Sequence, residues 1–163
     1  MRHTNDNYPT PHSIVQLVIQ KLNWPRLISW EPCVGDGRFA NAIDAAFGVE
    51  TLRHDITTGN DFFEWKEAQR PDVITNPPFN CIRQFIDHAF AIGVQRMALV
   101  CPERLWACRK GHEQWERHRP THWINLDWRE DYLGKGGSPD RALAVSIWEI
   151  PHSENCRYEI LGR

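Results

Sequence analysis

Hydrophobic and polar residues recur along the chain with two periods, one typical of helices and one typical of strands. Apolar positions three and four residues apart predict helices, and short apolar runs between turn residues predict strands. The predicted helices span residues 12–22, 38–47, 82–92 and 103–119. The predicted strands span residues 27–30, 49–53, 72–75, 96–101, 123–128 and 142–150. Helices and strands therefore alternate as far as residue 119, and two strands joined by a loop over residues 133–140 follow.

This order of elements predicts an α/β fold with a mostly parallel central sheet and helices on both faces. Strands that alternate with helices pair in parallel. The last two strands have no helix between them, so the final one is predicted to be antiparallel, at the C-terminal edge of the sheet. No repeat, low-complexity tract or linker divides the 163 residues, so residues 1–163 are expected to form a single domain.

Composition and charge narrow the class of protein. The formal net charge is −2, so contact with nucleic acid would need a local basic patch. The five cysteines lack Cys-x-x-Cys spacing, which argues against a disulfide framework and against a zinc site, so no metal is expected. No apolar run is long enough to cross a membrane, and the polar N-terminus is unlike a signal peptide. We therefore expect a soluble protein in the cytoplasm, a reducing compartment.

A glycine-rich turn, residues 31–37 (EPCVGDG), follows the first predicted strand and opens the second helix. Its two glycines let the backbone approach a ligand closely, and the amides that begin the helix favour a carboxylate. The turn lacks the Gly-Lys-Ser/Thr of a phosphate-binding loop, and its two acids would repel phosphates. A ligand with an amino acid moiety and a sulfonium fits better, because an acid can pair with its ammonium group.

Two further acids follow at positions that suit a nucleoside ligand. Asp55 comes just after the second predicted strand, where α/β nucleotide-binding folds place the acceptor for ribose hydroxyls. Asp61 precedes two phenylalanines, and an acid can accept from the exocyclic amine of adenine while an aromatic ring covers a purine face. A glycine turn alone is a weak signal, because tight connections from strand to helix need glycine anyway. The two acids strengthen it.

The most informative run is residues 76–79, Asn-Pro-Pro-Phe, at the end of the third predicted strand. Open α/β sheets bind ligands at this edge, and the prolines make the turn rigid. The side-chain carbonyl of Asn76 and the backbone carbonyl of Pro77 could accept both hydrogens of an aromatic amine and free its lone pair for attack. Phe79 offers a flat face to an extruded base. The alternative is a structural turn with a packed phenylalanine.

Together these motifs resemble the DNA N6-adenine methyltransferases, a family of S-adenosylmethionine-dependent enzymes with a Rossmann-like fold. The resemblance covers residues 8–79 and continues more weakly to residue 149. It implies a set of catalytic residues, Asn76, Pro77, Pro78 and Phe79. It also implies a set that binds the cofactor S-adenosylmethionine: Tyr8, Thr10, Pro11, Glu31, Cys33, Gly35, Gly37, Phe39, Asp55, Asp61, Phe62 and Asn76.

The resemblance implies methyl transfer to the N6 amine of adenine in DNA, in a bacterial or phage-infected cell. Beyond residue 96 it is closest to small phage and prophage-type enzymes, and the chain leaves no room for a separate target-recognition domain. Three alternatives stay open. They are the same reaction on RNA, methylation of protein glutamine, and a catalytically silent cofactor-binding module.

The predicted helix over residues 103–119 carries basic residues interleaved with tryptophans. This pattern fits either a surface that follows phosphates or a solvated helix face with tryptophans in the core. The residues that could contact nucleic acid are Arg104, Arg109, Lys110, Arg117, Arg119 and Arg141.

Overall fold

The computed structural model describes residues 9–129, 142–151 and 154–162. The helices are α1 His12–Lys21, α2 Arg38–Phe47, α3 Ile82–Ala91 and α4 Arg109–Arg117. The strands are β1 Ser29–Glu31, β2 Leu52–Arg53, β3 Asp72–Thr75, β4 Arg96–Pro102, β5 His122–Arg129, β6 Ala142–Trp148 and β7 Arg157–Leu161. Short 3₁₀ turns lie at Ile56–Thr58, Phe62–Glu64 and Phe79–Cys81. None of the described helices is both long and apolar enough to cross a bilayer.

The strands form one sheet in the order β2-β1-β3-β4-β6-β5-β7. β1 pairs in parallel with β2 and β3, and β3 pairs in parallel with β4. β6 is antiparallel to both of its neighbours, β4 and β5, while β7 pairs in parallel with β5. The mostly parallel α/β sheet predicted from the sequence is confirmed. Its antiparallel strand, expected at the edge, lies between β4 and β5, and β7 forms the edge.

Two apolar cores lie on opposite faces of this sheet. Along β4, Ala98 and Val100 belong to the core under α1 and α2, whereas Met97, Leu99 and Cys101 belong to the core under α3. Successive side chains of a strand point to opposite faces, so a strand covered on both sides must be apolar throughout. This double burial explains the continuous apolar run that predicted β4.

Two elements in the C-terminal half differ from the sequence-based prediction. The helix predicted over residues 103–119 begins only at Arg109, because the preceding residues form turns such as the one closed by Ala107 and Arg104. The strand β7 was not predicted. It is held by pairing with β5 and by an ion pair of 2.5 Å between Lys21 and Glu159.

Candidate active site

A cavity of about 520 Å³ opens at the carboxyl ends of β1, β2 and β3. Its wall comes from the connections that follow these three strands and from the residues just before α1. Parallel strands end at the same edge of a sheet, so motifs far apart in sequence meet there. Open α/β sheets bind their ligands at this edge.

Most of the predicted site residues line this cavity. Those that do are Thr10, Glu31, Cys33, Gly35, Phe39, Asp55, Asp61, Phe62, Asn76, Pro77, Pro78 and Phe79. Pro11 and Gly37 are not part of the wall and instead cap the beginnings of α1 and α2. Gly37 has a φ of 77°, which glycine adopts readily. Tyr8 lies outside the described residues, and the binding roles of the whole set stay predictions.

Asp55 connects the glycine turn to the 3₁₀ turn after β2. One of its carboxylate oxygens accepts a hydrogen bond from the Gly35 amide at 3.0 Å. The other accepts from the Thr57 amide and hydroxyl at 2.9 Å and 2.7 Å. Partial burial alone would raise the pKa of Asp55, but these hydrogen bonds stabilise the carboxylate and hold its pKa below the ordinary value. Since a carboxylate offers about four acceptor positions, Asp55 can still accept from a ligand hydroxyl.

Glu31 is almost wholly buried in the cavity wall, with 2% of its surface exposed. The backbone of Ala40 hydrogen-bonds to its carboxyl group, but Oε2 has no hydrogen-bond partner in the described structure. Burial raises the pKa of Glu31 well above its ordinary value, which the Ala40 bond and the charge of Arg53 only partly offset. The cavity therefore contains a carboxyl group with an unused acceptor.

Residues 76–79 form a rigid turn between β3 and the 3₁₀ turn Phe79–Cys81. The Pro78 carbonyl accepts from the Cys81 amide at 3.2 Å and from its thiol at 3.5 Å. This carbonyl therefore belongs to the turn. The roles of the Asn76 side chain and the Pro77 carbonyl as acceptors for an amine stay predictions. Phe79 is half-buried, packs against both cores and still lines the cavity.

The aromatic part of the wall differs in detail from the sequence-based expectation. Phe62, expected to cover a purine, is only 4% exposed and stacks on Phe85 with ring centroids 4.0 Å apart. Its neighbour Phe63 is half-buried and also lines the cavity. Ile56, which the sequence reasoning missed, lines the cavity with 48% of its surface exposed. Its position directly after Asp55 was the available signal.

The basic residues around α4 do not line the cavity. Arg117 lies 3.3 Å from Asp87, and Arg119 lies 3.1 Å from Glu116. Arg109 is 86% exposed and lies 3.7 Å from Glu113. Pairing with nearby acids therefore accounts for part of this set. Two other members, Arg104 and Lys110, are exposed, and Arg141 lies outside the described residues.

Trp123 is buried in the core, and Trp106 packs against it. Trp106 makes edge contacts with Trp115, Trp123 and Trp148, with ring centroids between 5.3 Å and 6.4 Å apart. In the part of the chain that the structure describes, no three His, Cys, Asp or Glu side chains are grouped to hold a metal ion.

Comparison with solved structures identifies the fold. A proposed class I S-adenosylmethionine-dependent methyltransferase from Listeria monocytogenes superposes with a TM-score of 0.66, at 10% identity, over 99% of this chain and 68% of its own. The methyltransferase subunit of a type I restriction-modification system from Streptococcus thermophilus gives 0.65, at 14% identity, over 94% of this chain and 47% of its own. The 23S rRNA methyltransferase ErmE gives 0.59, at 10% identity, over 90% and 71%. This chain has the Rossmann-like methyltransferase fold.

The methyltransferase fold is the one that the sequence motifs implied. No protein-family profile and no curated protein sequence matches the chain. The chain spans about half the length of the Streptococcus subunit. Identities this low establish the methyltransferase fold alone, so the activity has to be argued from the residues of the cavity.

Proposed function

We propose that this protein transfers a methyl group from S-adenosylmethionine to the exocyclic N6 amine of adenine in DNA. One observation carries the proposal. The glycine turn, Asp55 and the turn of residues 76–79 line a single cavity. A methyl donor and an acceptor amine must meet at such a point, because the reaction needs both within bonding reach.

The wall residues fit the parts of S-adenosylmethionine. The buried Glu31, with its unused oxygen, suits a cationic group of the ligand, and the ionised Asp55 suits the ribose hydroxyls. Ile56 and Phe63 offer apolar contact to an adenine ring. The volume of about 520 Å³ falls within the range of about 300–1,000 Å³ typical of small-molecule sites.

When bound, S-adenosylmethionine supplies an electrophilic methyl group on a sulfonium. The chain's own task is to hold the acceptor amine. The Asn76 side-chain carbonyl and the Pro77 carbonyl accept its two hydrogens, which favours a tetrahedral nitrogen with an available lone pair. Phe79 stacks against the base. Positioning and preorganised acceptors then supply the rate without a strong base.

The names of two structural neighbours point to nucleic acid as the substrate, one to restriction-modification and one to ribosomal RNA. The same reaction on RNA is therefore the second candidate. Methylation of protein glutamine is less well supported, because Phe79 stands where that group typically has tyrosine. A catalytically silent module would have no need of Asn76 beside the cofactor wall.

The deciding experiment uses S-adenosylmethionine with a labelled methyl group and matched DNA, RNA and protein substrates. Products are digested to nucleosides or amino acids and identified by mass. We expect N6-methyladenine from DNA. Label in RNA adenine would change the polymer but keep the reaction, and label in protein glutamine would overturn the proposal. Cofactor binding without any transfer would favour the silent module.

A further inference from the structure

We propose that Glu31 holds a proton in the ligand-free protein and releases it when a cationic group of the ligand binds beside it. Cofactor binding is then coupled to proton release. The inference rests on the proposed function only in taking S-adenosylmethionine as the ligand. It adds that the ligand's positive charge is taken up together with the loss of the Glu31 proton.

The position of Glu31 is unfavourable for a permanent charge. The residue ends β1, is 2% exposed, and has an oxygen, Oε2, that meets no hydrogen-bond donor in the described structure. A buried carboxylate with an unpaired oxygen loses its hydration without compensation, so the neutral acid is favoured. The hydrogen bond from the Ala40 backbone on α2 satisfies only part of the group.

The charged neighbours of Glu31 do not supply a counter-ion of its own. Arg53, at the end of β2, lies 2.5 Å from Asp44 and 2.9 Å from Asn41, so its charge is already paired. Asp36 in the glycine turn and Asp55 after β2 are negative and act against ionisation of Glu31.

Two further groups nearby do not change this balance. Asp36 is itself paired with Arg38 at 2.8 Å, so that guanidinium is also committed. Cys33, in the same turn, has its thiol pKa raised, chiefly by burial, and therefore adds no charge at neutral pH. Among these described neighbours, none offers Glu31 a positive charge that is not already paired. Burial also raises the pKa of Glu31, as expected for a group in that situation.

A bound cation reverses the balance. Its charge stabilises the carboxylate, so the Glu31 proton passes to solvent and the acid becomes the anion of an ion pair. One proton leaves Glu31 for each ligand molecule that binds, and no other bond changes. Over the pH range in which the ligand-free protein holds this proton, the affinity for the cationic ligand should rise by up to about tenfold for each unit of pH increase.

Isothermal titration calorimetry tests this directly and needs no turnover. S-adenosylmethionine is titrated into the whole chain in several buffers of different ionisation enthalpy at about pH 6.5, below the pKa of the ligand's ammonium group. The dependence of the heat on the buffer counts the protons released. We expect about one proton per site. Glu31→Gln should release none, because the amide copies the neutral acid. Glu50→Gln, the same change at an exposed glutamate outside the cavity wall, should behave like the wild type.

Two further ligands identify the cation. S-adenosylhomocysteine keeps the ammonium group but lacks the sulfonium, and 5′-methylthioadenosine lacks both. Proton release with the first and not the second assigns Glu31 to the ammonium group. Release with S-adenosylmethionine alone assigns it to the sulfonium. Either result supports the proposal, whereas equal release with 5′-methylthioadenosine overturns it.

The outcomes also separate this inference from the proposed function. Binding of S-adenosylmethionine with no buffer-dependent heat would overturn the role of Glu31 and leave methyl transfer untouched. Unchanged proton release in Glu31→Gln, with its fold confirmed by circular dichroism, would do the same. A complete lack of binding by the wild type would overturn the proposed function and the inference with it.

Discussion

The cavity wall and the surface around α4 contain similar charged and polar residues but differ in how these are satisfied. Around α4, Arg117 pairs with Asp87, and the Gln114 side-chain amide donates to the same carboxylate at 2.9 Å. In the wall, Glu31 has a buried oxygen without a partner among the described residues, and Asp55 keeps acceptor capacity after three hydrogen bonds. Near α4 the buried atoms that lack a described partner include two nitrogens, Trp106 Nε1 and Arg119 Nε, so the unused groups there are donors, whereas those in the wall are acceptors. An unused carboxyl oxygen in a cavity wall suits a ligand that brings a donor or a positive charge. The contrast favours the cavity as the site of chemistry.

The largest test of this contrast is Asn76→Ala. Removing the acceptor should lower methyl transfer by about 10²–10³-fold, the usual effect of losing one preorganised transition-state hydrogen bond. Cofactor affinity should stay within a few-fold. Single-turnover transfer and calorimetric binding measure the two quantities separately.

The matched control is Asn60→Ala, in an exposed turn where the Asn60 amide bonds to Thr58. This variant should transfer methyl groups at the wild-type rate. If Asn76→Ala lost cofactor binding and stability together, Asn76 would have a structural role instead.

The next largest effect is expected for Asp55→Ala. The change removes the acceptor for a ligand hydroxyl and also frees the amides of Gly35 and Thr57. We expect cofactor binding to weaken by about 1–3 kcal/mol, the cost of leaving buried polar groups unpaired. Calorimetry against Asp55→Asn, which keeps one acceptor oxygen, separates the two contributions. An unchanged affinity in both variants would remove Asp55 from the ribose role.

The motifs that these variants test could be recognised in the sequence, because each motif is short and local. Residues 31–39 and 76–79 bring turn residues and chemical groups together within a few positions, so spacing alone carries the information. The bounds of α2 follow in the same way, since glycines flank it at positions 37 and 48. The predicted α/β sheet is confirmed, and the motifs line one cavity, whereas ligand binding there stays a prediction.

The features that the sequence did not predict depend on contacts between residues that are distant along the chain. β7 has little pattern of its own and is a strand because it pairs with β5. α4 starts late because the residues before it form turns, and Gly111 packs so closely on them that a Cβ would lie 2.6 Å from the Leu105 carbonyl oxygen. The burial of Glu31 likewise comes from packing that the sequence does not reveal. That residues 1–163 form a single domain stays a prediction.

Glu31 gives a prediction about stability against pH in the ligand-free protein. Burial raises its folded pKa above the unfolded value, so its contribution is fully present below the unfolded pKa and is lost as pH rises through the folded pKa. Glu31→Gln should therefore gain stability over the wild type by about 1–3 kcal/mol at about pH 8 and lose that advantage at about pH 5. Urea denaturation at both pH values measures it, with Glu50→Gln as the control. A difference that does not change with pH would show that Glu31 is ionised when buried.

The smallest effect concerns the surface that meets the substrate. β4 runs parallel to β3, so Arg104, just after β4, lies at the same edge of the sheet as Asn76. Arg104 is exposed, whereas Arg117 is paired with Asp87. We expect Arg104→Ala to weaken DNA binding a few-fold and to lower the slope of log affinity against log salt by about one, as for the loss of one phosphate contact.

Arg117→Ala is the matched control, since it removes the same charge from a guanidinium that is already paired. It should leave the salt slope unchanged and alter only stability, by up to about 1 kcal/mol. Fluorescence anisotropy with labelled DNA over a range of salt concentrations measures both variants. Slopes equal to that of the wild type in both variants would mean that the nucleic acid meets neither residue. A loss confined to Arg117→Ala would move the contact surface to α4 and reverse the contrast between the two regions.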